Sequence, residues 1–419
     1  MAADPYFFVI LPRIQILGSM TRFTDKLGTI LHKPFLGRYS TLAGLWALLG
    51  VIAWATKYFP GKYNNFSIFR QSFWHALERL PLYPEYPAEY FDSFHYGPVF
   101  SLVVAPFALL PVWAGLLGWL VAQSLFLWWA VRALPSARRE HIFIYWFCAH
   151  ELLTALFMSQ FNISTAAMIL LSYACIEKGR DGWAAFWIVL GTFVKLYGIV
   201  GLAFIFFSRH KRRLLLACAG WAALLFVAPM CLGGAGYVVG EYEGWYHSLV
   251  EKNALNLFAD KQNISLLGMI RKISGSEAYP DLYPIAAGLL LFGLPYSRRG
   301  QYAYEGFRKA SLASALLFVV LFSTGSESST YIIALIGVAI WYVSAPWKRS
   351  RADMALMAFA FLLTSMSPSD LFPRFLKERY IFPYALKALP CAIIWLKLAC
   401  EMYRCDYNPA LNKTSHGQE

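Results

Sequence analysis

The residues with chemistry to offer begin in a polar stretch, 59–96, that runs into Tyr90-Phe91-Asp92-Ser93-Phe94-His95-Tyr96-Gly97-Pro98-Val99-Phe100. It carries carboxylates at Glu85, Glu89 and Asp92, histidines at His75 and His95, and cations at Arg70 and Arg79. Beyond it, further polar side chains lie within or between the apolar runs: Glu151, Gln160, Asn162, Lys195, Asn263, Arg271, Glu327, Arg374 and Arg379. A carboxylate can serve as a general base, and a lysine or arginine can hold a phosphate. Each residue also has a plainer use. Asp92 can pair with Arg70 or cap a helix, Glu151 can pair with Lys195, and Glu327 can be an N-cap in its Gly/Ser turn. Asn263 can cap a helix and Arg271 can anchor an interface, while His75 and His95 read most simply as loop residues. The histidines lack metal-ligand spacing, and neither a phosphate-cradling glycine loop nor a serine nucleophile motif occurs, so nucleotide-driven chemistry has no support. We expect no metal and no cofactor.

The elements that must position these residues are membrane helices. The chain is 58% hydrophobic and only 15% charged, where a soluble protein carries about a quarter charged residues. Its mean hydropathy is +0.47. Apolar runs recur that approach the roughly 20 residues a helix needs to cross a bilayer, and they do not alternate as barrel strands would. The net charge of +13 sits in short loops between these runs, the positive-inside pattern, and not as a nucleic-acid face. Seven cysteines fall mostly inside apolar runs without paired spacing and read as small buried hydrophobes. The fold class is therefore an all-α polytopic membrane protein in one domain, with no internal repeat.

In order, residues 1–40 read as an amphipathic segment on the cytoplasmic face, with Met20 as a possible alternative start. A transmembrane domain spans 41–399 and a cytoplasmic tail 400–419. Outer loops are expected at 59–96, 235–280 and 367–380. Pro106 and Pro111 break the run 98–131 into a half-helix and a span. Residues 183–207 have basic residues on both flanks (Lys178 and Arg180; Arg209 to Arg213), so a single crossing conflicts with charge bias. Two half-spans with Lys195 at their tip resolve the conflict, and broken backbone at depth implies a cavity there. The tally is about twelve crossings or half-crossings with both termini inside. This topology gathers the isolated polar residues on the outer side, where ionisable groups at membrane depth face a cavity and pair or act.

Several local patterns resemble the polyprenol-phosphate-mannose-dependent mannosyltransferases of glycosyltransferase family 87. They are Asn65-Phe66-Ser67-Ile68-Phe69-Arg70, Pro81-Leu82-Tyr83, His95-Tyr96-Gly97-Pro98-Val99-Phe100, Gln160-Phe161-Asn162, Val194-Lys195-Leu196-Tyr197 and Asn263-Ile264-Ser265 with Arg271. The stretches Gly325 to Tyr331 and Tyr380 to Lys387 look like a bacterial branch of that family. The resemblance implies a fold of the C superfamily of glycosyltransferases with a catalytic first outer loop. It implies inverting transfer of a hexose, most often mannose, from a polyprenyl-phosphate sugar to a glycan or glycolipid acceptor at the outer face of the inner (plasma) membrane. The family often has aspartate where this chain has Asn65, and an amide cannot take the proton. Asp92 is then the expected catalytic base, with Glu89 and Glu85 in reserve. Lys195 with Arg374, Arg379 or Arg271 is expected to bind the donor phosphate. Asn65, Arg70, Glu89, Tyr96, Glu151, Gln160, Asn162, Asn263 and Glu327 are expected to contact substrate. The partners would be the lipid-linked sugar, the acceptor and membrane lipid, with no nucleic acid. Two rivals stay open: a transporter or flippase, which would usually show repeated halves, and a polymerase or ligase of surface polysaccharide.

Overall fold

The computed structural model describes residues 34–259, 261–276, 280–370 and 372–411. The expected amphipathic segment before Pro34, with the Met20 start, lies outside the described residues, as does the end of the expected tail. The chain divides into two compact units, 1–45 and 46–419. In the first, a 3₁₀ turn, Pro34–Gly37, precedes the opening of helix α1 (Tyr39–Tyr58). The second holds the rest of α1 and everything after it.

That unit continues with α2 (Asn64–Glu78), α3 (Phe100–Ala108), α4 (Val112–Ala133), α5 (Arg138–Phe157), α6 (Asn162–Glu177) and α7 (Asp181–Val194). A 3₁₀ run, Leu196–Phe207, follows. Then come α8 (Lys211–Val227), α9 (Ala235–Asn256), α10 (Leu266–Ser274), α11 (Leu282–Gly293) and α12 (Glu305–Leu321). The chain closes with α13 (Tyr331–Ser344), α14 (Arg351–Phe359) running on as a π-helix through Ala360–Met366, and α15 (Leu389–Arg404). No strand occurs among the described residues.

Helices α6, α12 and α13 are apolar on nearly every side and are buried on nearly every side, as an all-round hydrophobic helix must be. Around them, α8 and α11 are equally apolar yet exposed, at Leu215, Leu216, Leu224, Val227, Leu289 and Leu290 among others. Continuous exposed apolar surface of this extent is at home in lipid. Among the described residues, three helices can each cross a bilayer by length and apolarity, Tyr39–Tyr58, Val112–Ala133 and Lys211–Gly233, and one further pair, Arg374–Ile381 with Leu386–Arg404, is bent by 94°. The other apolar helices, α6, α7 and α13 among them, are shorter. The crossing number read from sequence therefore rests largely on short and broken helices.

The broken hairpin is present. Helix α7 stops at Lys195, whose backbone is extended (φ −149°, ψ 108°). The 3₁₀ run folds back antiparallel, with Gly198 against Gly191 and Gly201 against Ile188. A Cβ on Gly198 would lie 2.3 Å from the Gly191 carbonyl carbon, so this crossing needs glycine. Ser208 Oγ donates to Asp181 Oδ1 at 2.9 Å and ties the open end.

The expected outer loops contain helices: one within 59–96, and two that make up most of 235–280. Within 59–96, α2 buries Phe66, Phe69, Phe73 and Ala76, a helical spacing. Within 235–280, α9 lines up Tyr237, Glu241, Trp245, Ser248 and Lys252 on one stripe at steps of three or four residues. Every one of them grips the first loop. Tyr237 donates to Leu80 O (2.7 Å), the Leu82 amide to Glu241 (2.9 Å) and Trp245 to His95 O (3.0 Å). Ser248 bonds His95 Nδ1 (2.7 Å) and Lys252 reaches Asp92 (3.3 Å). Within 367–380, the second half forms the turn Arg374–Leu376 and a π-helical stretch, Lys377–Ile381. Helix α15 runs to Arg404, past the expected tail boundary at 399.

Candidate active site

The end of the first loop, the hairpin tip, the turn before α13 and residues of α2 and α9 close on one cavity of about 290 Å³. Gly97 explains how the first two meet. Its amide donates to Val194 O at 3.2 Å, and a Cβ there would lie 1.9 Å from Phe193 O. Glycine thus lets the loop backbone rest on the last turn of α7, one residue before Lys195. Tyr96 is thereby set beside the lysine, with Nζ 5.8 Å from the ring centroid, a cation–π distance.

The lysine is anchored from behind. Its Nζ donates to Asn162 Oδ1 at 2.6 Å. Asn162 Nδ2 in turn donates to Gln160 Oε1 (2.8 Å) and to Ser329 Oγ (3.0 Å). Gln160 Nε2 donates to Glu327 Oε2 at 2.7 Å. Glu327 also forms a capping box with Thr330 at the entry to α13, so the N-cap role and a place on the cavity wall coexist. Buried polar groups bonded in sequence like this hold one another in fixed orientation.

Across the cavity, Asp92 sits at φ 76°, a left-handed backbone that aspartate and asparagine tolerate best among residues with a Cβ. Oδ1 accepts from the Ser93 amide at 2.9 Å, and both carboxylate oxygens lie 3.3 Å from Lys252 Nζ. His95 Nε2, buried and without a hydrogen bond, lies 3.9 Å from Oδ1, an ion-pair separation. His95 first, then the Ser93 amide and Lys252, hold the Asp92 carboxyl well below the usual carboxylate range, against its partial burial. The cavity wall therefore carries two carboxylates, Asp92 and Glu327, and two lysines, Lys195 and Lys252.

Of the residues singled out from sequence, Asn65, Asp92, Tyr96, Gln160, Lys195 and Glu327 line this cavity, and Asn162 backs it. The others are employed elsewhere. Arg70 lies over Trp74, so Asp92 pairs with Lys252 and not with Arg70. Glu89 binds His75 and Gln71, each at 2.9 Å. Glu151 pairs with Lys387 at 2.9 Å, not with Lys195, because the 3₁₀ turn Leu386–Ala388, just before α15, inserts its lysine between α5 and the Ser328 turn. Asn263, buried and at φ 50°, accepts from Ser265 Oγ, and it is Ser265 that caps α10. Arg271 is held by Asp281 at 2.9 Å. Arg374 pairs with Glu378 on the surface, and Arg379 lies against Phe375 and Tyr380. None of the three arginines expected at a phosphate lines the cavity.

Sequence reasoning read His95 as a plain loop residue and missed Tyr197, Trp245, Lys252, Asn253 and Asn256; all six also line it. The α9 residues carried a signal, the polar stripe at helical spacing, hidden because the segment reads as loop by composition. Carboxylates, lysines and amides converging at one end of a bundle of apolar helices mark a membrane protein with a polar working site. Comparison supplies the family: the sequence profile of glycosyltransferase family 87 matches residues 94–324. That is more than half of the chain, and the chain belongs to this family and is a membrane glycosyltransferase. The match takes in His95, Tyr96, Gln160, Lys195 and all of α9; it begins just after Asp92 and ends just before Glu327. No curated protein matches the chain.

Proposed function

We propose that this protein transfers a hexose, mannose first among candidates, from a polyprenyl-phosphate sugar to a hydroxyl of a glycan or glycolipid, with inversion. It does so at the outer face of the inner (plasma) membrane, with both termini cytoplasmic. The observation that supports this most is the single cavity that opposes Asp92 and Glu327 to Lys195 and Lys252.

The acceptor hydroxyl attacks the anomeric carbon from the face opposite the phosphate. The carbon–oxygen bond to phosphate breaks, its electron pair leaves with the polyprenyl phosphate, and the hydroxyl proton passes to Asp92. Charge that builds on the departing phosphate is stabilised by Lys195, which its bond to Asn162 holds aimed; fixed charge of this kind is a large catalytic lever. Lys252 takes the role first expected of an arginine. It pairs with Asp92 in the free protein, and when it turns to the donor phosphate it releases the carboxylate to act as base. Glu327 and Gln160 contact the sugar or acceptor hydroxyls.

The test is transfer by the purified full chain in lipid, with radiolabelled polyprenyl-phosphate mannose and, in parallel, the glucose and galactose forms, and a membrane extract as acceptor source. Transfer from one of these by the parent, lost in Asp92→Asn, supports the proposal. A parent that transfers none of them, yet moves lipid-linked sugar across a vesicle bilayer, would replace it with transport.

A further inference from the structure

A second cavity, of about 590 Å³, lies at the other end of α6 from Asn162. Its lining on α6 begins at Leu171, nine residues and about 14 Å along the helix from Asn162. The chain ends that form it converge for a local reason. Gly179 takes φ 67° and ends α6, with its amide on Ile176 O and the Arg180 amide on Cys175 O at 2.8 Å. Lys178 reaches across and donates to Ala133 O, the last carbonyl of α4, at 2.6 Å. Arg132, Lys178 and Arg180 thereby stand at one rim. Arg132 lies over the Trp128 ring, Glu177 pairs with Arg308 at 2.8 Å and Asp181 accepts from Ser208.

The rest of the lining is apolar. Trp129 and Trp187 meet edge to face at 6.3 Å, over Leu171 and Ala174. Trp129 and Trp183 are about half exposed despite their size, on flanks of α4 and α7 that are otherwise apolar. Tryptophan at this level is an interface residue. A cationic rim above an apolar, tryptophan-walled trough is complementary to an amphiphile with an anionic head. A soluble phosphate compound would leave the apolar half unfilled. The basic run Arg209 to Arg213, tied to the start of α7 through Ser208, extends positive charge over the same end of the molecule.

We propose that this cavity binds one anionic phospholipid, its phosphate at Arg132, Lys178 and Arg180 and its acyl chain along Trp129 and Trp187. The site is independent of the sugar-transfer reading.

The experiment is native mass spectrometry of the intact protein, titrated with phosphatidylglycerol and phosphatidylcholine of matched chains. Phosphatidylglycerol should be retained preferentially at low stoichiometry. Each cation removed should weaken it about fivefold, the factor equivalent to ~1 kcal/mol for a basic residue at an anionic lipid surface. The double variant Arg132→Gln/Arg180→Gln, both exposed positions, should therefore lose about 25-fold against phosphatidylglycerol alone. Arg209→Gln/Arg212→Gln should change retention less than threefold, and Trp129→Ala should weaken both lipids alike. Equal losses in the two double variants would replace the site with diffuse surface charge. Displacement of the lipid by millimolar inorganic phosphate would replace it with a soluble-anion site.

Discussion

Asp92→Asn separates catalysis from folding more cleanly than any other substitution here. The amide keeps an Oδ1 acceptor for the Ser93 amide (2.9 Å), and asparagine tolerates the left-handed backbone at φ 76° as well as aspartate does. Alanine would add backbone strain and confuse the result. What folding loses is the pairing of a half-exposed carboxylate with Lys252 and the facing His95, at most about 1 kcal/mol after solvent screening. What the reaction loses is its base, worth roughly 10²–10⁴-fold, or about 3–5 kcal/mol of barrier. We expect kcat to fall by at least a hundredfold with the thermal midpoint within a few degrees of the parent. The assay is initial-rate transfer from radiolabelled polyprenyl-phosphate hexose, with Glu89→Gln beside it. Glu89 lies off the cavity in the pairing with His75, so that variant should keep its rate. If Asp92→Asn retains a third or more of the parental rate while folded, Asp92 is not the base.

Lys195→Met removes the fixed charge behind the leaving phosphate and should cost roughly 10²–10³-fold in kcat, read in the same assay; an effect on KM alone would contradict that role. Lys252→Met removes one of the groups that hold Asp92 low. In the parent the acid limb of kcat/KM should lie below the ordinary carboxylate value of about 4, and in the variant it should move to higher pH. The same depression means that the contribution of Asp92 to stability is complete above about pH 4 and is lost as pH falls below it. Asn65→Asp should lower stability by about 1–3 kcal/mol without raising the rate. Asn65 Nδ2 donates to Met158 O at 2.7 Å, and a carboxylate cannot. Lys387→Met strands the buried Glu151 carboxylate and should cost about 3–5 kcal/mol in denaturant unfolding, most of it recovered in Glu151→Gln/Lys387→Met.

Sequence by itself determined the class of the protein and singled out six of the residues that line the candidate site. Apolar runs with basic flanks specify membrane helices wherever they fall in the chain. The opposed basic flanks of 183–207 were enough to require a break, which the structure has at Lys195. Gln160, Asn162 and Lys195 were legible because an isolated polar side chain in apolar sequence is expensive without a partner. Which partner it takes is a matter of tertiary structure. Glu151 and Lys195 both lacked a sequence-local counter-charge, and only the packing of the turn before α15 shows that Lys387 takes the glutamate, leaving Lys195 to Asn162. Lys252 and Ser248 were invisible for the converse reason. They lie in a polar segment where charge is ordinary, and they gain meaning only because α9 lays one face along a loop some 150 residues earlier. The three arginines illustrate the same limit. Arg271, Arg374 and Arg379 have the right chemistry for a phosphate, but Asp281, Glu378 and two aromatic rings hold them elsewhere. Residue type states what a side chain can bind, and the fold decides what lies within its reach.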